Sequence, residues 1–484
     1  MKKIISIFLL LFCFSCTKFD ETVYDKSLNQ KPSLINVYKE LGDIIDDNGW
    51  WFWAQEVSSD EVVFPVRGND WNDGGKWKVL HTHEWSNDVD AVNSMWSHLD
   101  DGIREANKVI DPLLDQVSDP LIAKEVAKAR TLRAFFMYLM MDNYGDIPLV
   151  TSFVSAVPQP FKESRENIHA FLVKEVEESA PLLDVSTNKF AVSKGMAYTL
   201  LAKLYINAEI YTGNPAFDKA EAFCDSVINL GTYTLEGNVT NAFSASNDNS
   251  SENIFTIPFD ENDFRGFRLH MRTLHYLNDA SFNMGVGPWN GFAIVEDHYD
   301  SYDNNDLRKK DWFLVGQQFD AGGAPLFDET AGESLILTPK IPKLVMDASN
   351  TSAEIRMSGA RVQKYEIEEG AIENLNNDFP LFRYADVLLM KAECAVRNGS
   401  AGAGDSYVAE VRDRANAGPT TGFGLDDILA ERGRELFCEG HRRQDLIRFS
   451  KFGDSWWEKP ASGIERTTFP IPQWAIDANP NLGL

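Results

Sequence analysis

Phe379-Pro-Leu-Phe-Arg-Tyr-Ala-Asp-Val-Leu-Leu-Met-Lys-Ala-Glu-Cys-Ala-Val-Arg-Asn-Gly399 decides how this chain folds. Ala385, Leu388, Leu389, Ala392, Ala395 and Val396 recur at helical spacing and share one face. The alanines on that face let a second helix approach closely. Gly399 stands where a left-handed C-terminal cap is expected. A second stretch, Ile428 to Phe449, reads the same way: Asp426 or Asp427 can cap a helix that runs through Leu436 and Phe437 and stops at Gly440. Paired helices with small faces build tetratricopeptide-like arrays.

The wording of these stretches is more specific than their period. Phe382-Arg-Tyr-Ala-Asp-Val-Leu-Leu-Met-Lys-Ala-Glu393 resembles the signature of the SusD/RagB family of outer-membrane glycan-binding lipoproteins. Glu431-Arg432, Glu435-Leu-Phe437, Glu439-Gly-His-Arg442 and Asp445-Leu-Ile-Arg-Phe449 resemble it too. Upstream, Ala129-Arg-Thr-Leu-Arg133 and Asn143-Tyr-Gly-Asp-Ile-Pro-Leu149 are similar to the family's early helix and the turn that ends it, and Ser58-Ser-Asp-Glu61 and Phe469-Pro-Ile-Pro472 also match. At the C-terminus, Asn479-Pro-Asn-Leu-Gly-Leu484 replaces the family's usual ending. The resemblance implies a mostly α, SusD-like fold of tetratricopeptide-type hairpins with long irregular loops and a few short strands. It also implies a non-catalytic protein that delivers glycan to a SusC-like TonB-dependent transporter.

Helical patterning falls in three blocks, about 92–143, 167–230 and 381–440. Residues 50–90 and 240–380 are irregular, with apolar runs such as Asn253-Ile-Phe-Thr-Ile-Pro258 that read as strands. With 484 residues, 44% hydrophobic and 25% charged, the chain has a globular composition. A net charge of −27 argues against nucleic acid and polyanionic glycans, since phosphate binding needs clustered Lys and Arg. A neutral glucan or mannan is the expected ligand.

Lys2 and Lys3 precede the apolar run Ile4 to Phe14, followed by Ser15-Cys16. This is a signal peptide over residues 1–16, too short to span a bilayer, which takes roughly 20 apolar residues. Cys16 is the expected lipidation site, with 17–484 as the SusD-like glycan-binding domain. Asp20 and Glu21 resemble an acidic surface-export signal, so the expected location is the outer membrane, facing outward. Cys224, Cys394 and Cys438 form no disulfide framework and read as packed thiols.

Six of the twelve tryptophans lie between Trp50 and Trp85. Trp50, Trp51 and Trp53 sit in an apolar run and read as core. Around Gly74-Gly75, aromatic and hydrogen-bonding side chains alternate: Arg67, Asp70, Trp71, Asn72, Asp73 and Trp77. Trp289 and Asn290 form a second such pair. A sugar's C–H face stacks on an indole while Asp, Asn and Arg bind its hydroxyls. Trp71, Trp77 and Trp289 are therefore the expected stacking platforms, and Arg67, Asp70, Asn72, Asp73 and Asn290 the hydrogen-bonding rim.

Other constellations carry less. His81 and His83 would share a strand face, as zinc ligands can, yet no third ligand is identifiable, so no metal is expected. Asp300 to Asp306 lacks the glycine and closing glutamate of an EF-hand loop. Glu431 and Glu435, one helical turn apart, have the spacing of a retaining glycosidase pair. Neighbouring arginines would keep both ionised, which removes the general acid. No cofactor motif is present. A surface-anchored glycan hydrolase and a helical-repeat scaffold for peptides are the alternatives.

Overall fold

The structure, a computed structural model, describes residues 33–45, 49–346 and 349–484. The signal peptide and Cys16 lie outside the described residues. Helices follow the three predicted blocks. Asp90–Ile110 and Pro120–Tyr144 form the first hairpin. Asp119 caps the second of these helices by accepting from the Leu121 N–H. Arg165–Ser179, Lys194–Ile206 and Phe217–Asn229 follow, the first two started by Ser164 and Ser193 caps. Each helix packs on the next, and Tyr384–Asn398 packs on Phe217–Asn229, Asp405–Arg414 and Leu425–Glu435.

The alanine-lined face does what its spacing predicts. Ala385, Leu388, Leu389 and Ala392 are buried, and the neighbouring segment comes so close that a Cβ on Gly404 would lie 2.5 Å from the Ala392 carbonyl oxygen. Three helix ends differ from expectation. Gly399 has φ −128°, outside the left-handed region. Leu425–Glu435 starts from Gly424, whose N–H is bound by the Asp427 carboxylate at 2.9 Å, and it stops two residues before Phe437. Gly440 does take a left-handed φ, 78°.

Strand structure is sparse. Asn253–Ile257 and Phe379–Arg383 pair antiparallel, fully buried, at the heart of the core. Short pairs tie the irregular segments together: Val62–Val63 lies antiparallel to Ala293–Ile294, and Val66–Arg67 parallel to Val345–Met346. These pairs bring residues 60–75, 270–295, 345–346 and 349–360 to one place. Among the described residues no helix is long and apolar enough to cross a membrane.

Most charged residues of the C-terminal signature are buried inside the fold. Glu435 accepts from Arg308 at 2.8 Å, from Arg383 at 2.7 Å and from Arg414. Glu431 accepts from Arg308 at 2.8 Å, and also from Arg412 and Arg434. Glu439 holds Arg383 and Lys364, while Asp445 and Glu393 hold Arg448. Burial alone would raise the carboxyl pKa of Glu431 and Glu435, but the surrounding arginines outweigh it and hold both below the usual range. This is an ion network that clamps the last helices to the strand pair. Cys224, Cys394 and Cys438 are free and buried, with their thiol pKa pushed up by burial; Cys438 lies in the turn after the helix, not within it.

Candidate ligand-binding site

Residues 68–75 form a tight turn that holds two non-glycine residues at positive φ. Gly68, Trp71, Asp73, Gly74 and Gly75 all have positive φ, and two of these residues carry side chains. Such strain concentrates where a surface is held for use. The turn lays the Trp71 indole against Gly291, where a Cβ would come within 2.5 Å of the ring. Any side chain at 291 would displace that indole. Trp71 Nε1 donates to the Trp289 carbonyl at 2.8 Å, so the two sequence-distant tryptophans meet, both half-buried.

Arg272 lies beneath them. Its guanidinium carbon is 5.8 Å from the Trp71 ring centroid and 5.3 Å from that of Trp289, with Trp53 at 5.3 Å and Trp77 at 5.9 Å. Beside this floor stands half-buried Tyr276, whose hydroxyl donates to Asp70 Oδ2. Asn350 Nδ2 donates to the same oxygen at 2.9 Å and reaches the Tyr276 hydroxyl at 3.1 Å. Burial and the Asp70 carboxylate raise the Tyr276 phenol pKa, so this ring stays neutral and serves as a hydrogen-bonding aromatic edge. Half-buried rings beside an exposed carboxylate and an amide are the groups that polyhydroxylated ligands need.

Three of the expected contact residues are turned inward. Trp77 is 2% exposed, stacked on Phe64 with centroids 3.9 Å apart, and its Nε1 donates to Asp73 at 2.9 Å. The helix Lys76–His81 rotates Trp77 onto the same inner face as Leu80 and His81. Arg67 is fully buried and donates to the carbonyls of Asn290, Ile355 and Ser358. Asn290 is buried, accepting from Arg361 at 2.8 Å and donating to the Arg356 carbonyl at 3.0 Å. These three position the loops from below. Asp70, Asn72 and Asp73 are exposed as expected, Asp73 being also the acceptor that fixes Trp77. Replacing Trp77 by Ala is expected to lower stability by about 3–5 kcal/mol, the usual cost of emptying an aromatic core site. A thermal melt indistinguishable from wild type would contradict that placement.

Tyr276, Asn350 and Arg272 were not singled out from sequence. Tyr276 shares the 274–292 loop with Trp289, and that shared loop was the one available signal. The histidine pair is not a strand site. His81 ends a helix and bonds to the Trp457 carbonyl at 2.9 Å, while His83 bonds to the Ser58 carbonyl at 2.8 Å and Ser462 at 3.0 Å. In the acidic run, Asp306 is buried against Arg308.

Residues 244–468 match the model of the SusD family. The chain is 23% identical to the starch-binding protein SusD of Bacteroides thetaiotaomicron over 474 residues, covering 89% of this chain and 84% of that protein. It is 24% identical over 528 residues to SusD-like protein P25 of Formosa agariphila, covering 99% and 97%. Among solved structures it superposes on surface glycan-binding protein A of Bacteroides thetaiotaomicron, in complex with laminarihexaose, with a TM-score of 0.73. That pair shares 22% identity over 93% of this chain and 97% of the other.

Proposed function

We propose that the protein is a cell-surface glycan-binding protein, on the premise that residues 244–468 match the SusD family model and the fold as a whole is SusD-like. The observation that carries this reading is the gathering of Trp71, Trp289 and Tyr276, from segments about 200 residues apart, around Asp70 and Asn350. Trp71, Tyr276 and Trp289 stack on sugar rings, and Asp70, Asn72, Asp73 and Asn350 bind hydroxyls. Arg67, Trp77 and Asn290 hold the platform in place. A neutral glucan or mannan suits a site whose charged rim is a carboxylate, on a chain of net charge −27. The starch-binding and laminarihexaose-bound relatives support the glucan reading.

Residues 17–484 form the binding domain in this account, and acylation of Cys16 anchors it to the outer membrane with the site facing outward. The family resemblance supports delivery of the captured glycan to a SusC-like TonB-dependent transporter. In this reading the protein does not hydrolyse what it binds, and the glutamates at glycosidase spacing support it, both being buried and clamped by arginines. Incubation with a panel of neutral polysaccharides tests the function, with retention of intact polymer expected and release of shorter products contradicting it. Cys16→Ala is expected to move the protein from the membrane fraction to the soluble fraction, as judged by fractionation of cells. Persistence of the variant in the membrane would contradict the anchor. Gentle detergent extraction followed by pull-down is expected to recover an outer-membrane barrel, and repeated recovery of the lipoprotein alone would count against delivery.

A further inference from the structure

One surface stretch lies outside the proposed glycan site. Val150-Thr-Ser-Phe-Val-Ser-Ala-Val-Pro-Gln-Pro-Phe161 contains no charged residue, in a chain that is 25% charged. Phe153 is 47% exposed, Val154 81%, Val157 65% and Phe161 66%. Contiguous exposed apolar side chains on a folded protein mark a contact surface. These are held outward by the fold. The Asp111 carboxylate accepts from Ser152 Oγ at 2.9 Å and from the backbone N–H groups of Phe153 and Val154 at 2.8 Å each. Asn107 and Arg133 grip the carbonyls of Val150 and Thr151 at 3.0 and 2.8 Å. The returning arm is fixed by Asn479 on the Pro160 carbonyl and Asn481 on that of Gln159, at 2.8 and 2.9 Å.

Two observations say what covers it. The first is directionality. Thr151, Ser155 and Gln159 are exposed as well, but Ser152 and Gln159 bond to Asp111 and to the Ala478 carbonyl, so the large outward side chains are apolar and suit a fluid, non-directional medium. The second is location. The described chain begins at Ser33, where Asn36 donates to Glu105; Glu105 also binds Lys108, whose ammonium lies 5.1 Å from the Phe153 ring centroid. Exposed Ile35 is on this same first turn. The chain from Cys16 to Ser33 spans at most about 60 Å when extended. The first described residues, to which the proposed tether joins, therefore lie beside the apolar loop.

We propose that the 150–161 loop rests in the interfacial layer of the outer leaflet and orients the anchored protein on the membrane. This rests on the anchored reading of Cys16 given above. The test uses the full-length acylated protein in phosphatidylcholine–phosphatidylethanolamine vesicles, with an environment-sensitive fluorophore on Val154→Cys. Labelling is confined to that position, because Cys224, Cys394 and Cys438 are buried. The expected result is a blue-shifted emission that brominated lipids quench several-fold, with the quenching lost when Phe153, Val157 and Phe161 are changed to Ser. A protein that floats with the vesicles yet keeps a water-exposed spectrum would overturn the proposal while leaving the anchor intact. Failure to float would remove the anchor, and the proposal with it. A blue shift that appears only after a barrel transporter is reconstituted would assign the loop to protein contact and overturn the lipid assignment.

Discussion

Lowering the pH from 7 to 5 is expected to destabilise the protein by several kcal/mol. Burial holds six histidines neutral: pKa falls to about 4 for His81, His270 and His441, to about 3 for His83 and His298, and to about 2 for His275. In the unfolded chain each titrates near 6.5. Between these values the unfolded state binds more protons than the folded one, so stability is present above pH 6.5 and is lost as pH falls. At pH 5 each histidine contributes a loss of about 2 kcal/mol, from roughly 1.5 pH units at 1.4 kcal/mol each. Two buried carboxyls act the other way. Burial raises Glu56 to about 8 and Glu61 well above its ordinary value, so their neutral folded forms favour folding more as pH falls towards 4.5. Glu56 returns about 3 kcal/mol over this interval, and Glu61 acts in the same direction. Six histidines outweigh two carboxyls. Thermal unfolding at constant ionic strength is expected to show a Tm lower at pH 5 than at pH 7 by on the order of 10 °C. A Tm that is unchanged or higher at pH 5 would contradict the burial of these imidazoles.

Glu435→Ala is expected to be the most damaging substitution among the signature residues. It removes the shared acceptor of Arg308, Arg383 and Arg414, two of which are fully buried. Breaking a buried ion pair by deleting one partner costs about 3–5 kcal/mol, because the charges left behind have no solvent to turn to. Exposed pairs give the contrast. Arg104 meets Asp100 at 3.6 Å on an open helix face, and Arg104→Ala is expected to cost under about 1 kcal/mol. Chemical denaturation of the two variants measures both, and equal midpoints would refute the clamp.

The difference between these two charged residues explains which parts of the protein were legible in its sequence. Arg432, Glu435, Arg442 and Arg448 lie on helices or helix ends, where fixed spacing writes the ion network into a short continuous motif. The alanine face of 384–398 is legible for the same reason. The ligand site has no such period. Trp71 meets Trp289 only because Gly291 lets the indole lie on its backbone, and Tyr276 meets Asp70 and Asn350 across three separate segments. Trp77 read as exposed because Gly and Asp precede it, yet Trp77, Leu80 and His81 have i, i+3, i+4 spacing, which was the sign of a buried helical face. Arg67 and Asn290 read as surface groups because carbonyl partners supplied by a folded loop leave no trace in sequence.

Affinity electrophoresis of wild type and Trp71→Ala in gels containing laminarin, starch or mannan tests the central claim most directly. The account predicts that the wild type is retarded by at least one of these neutral polysaccharides. Trp71→Ala, folded by circular dichroism at the temperature of the gel, should bind roughly ten- to a hundredfold more weakly, the loss of about 1–3 kcal/mol expected for a stacking aromatic. Free migration of the wild type in all three gels, or retardation of Trp71→Ala equal to that of the wild type, would contradict it.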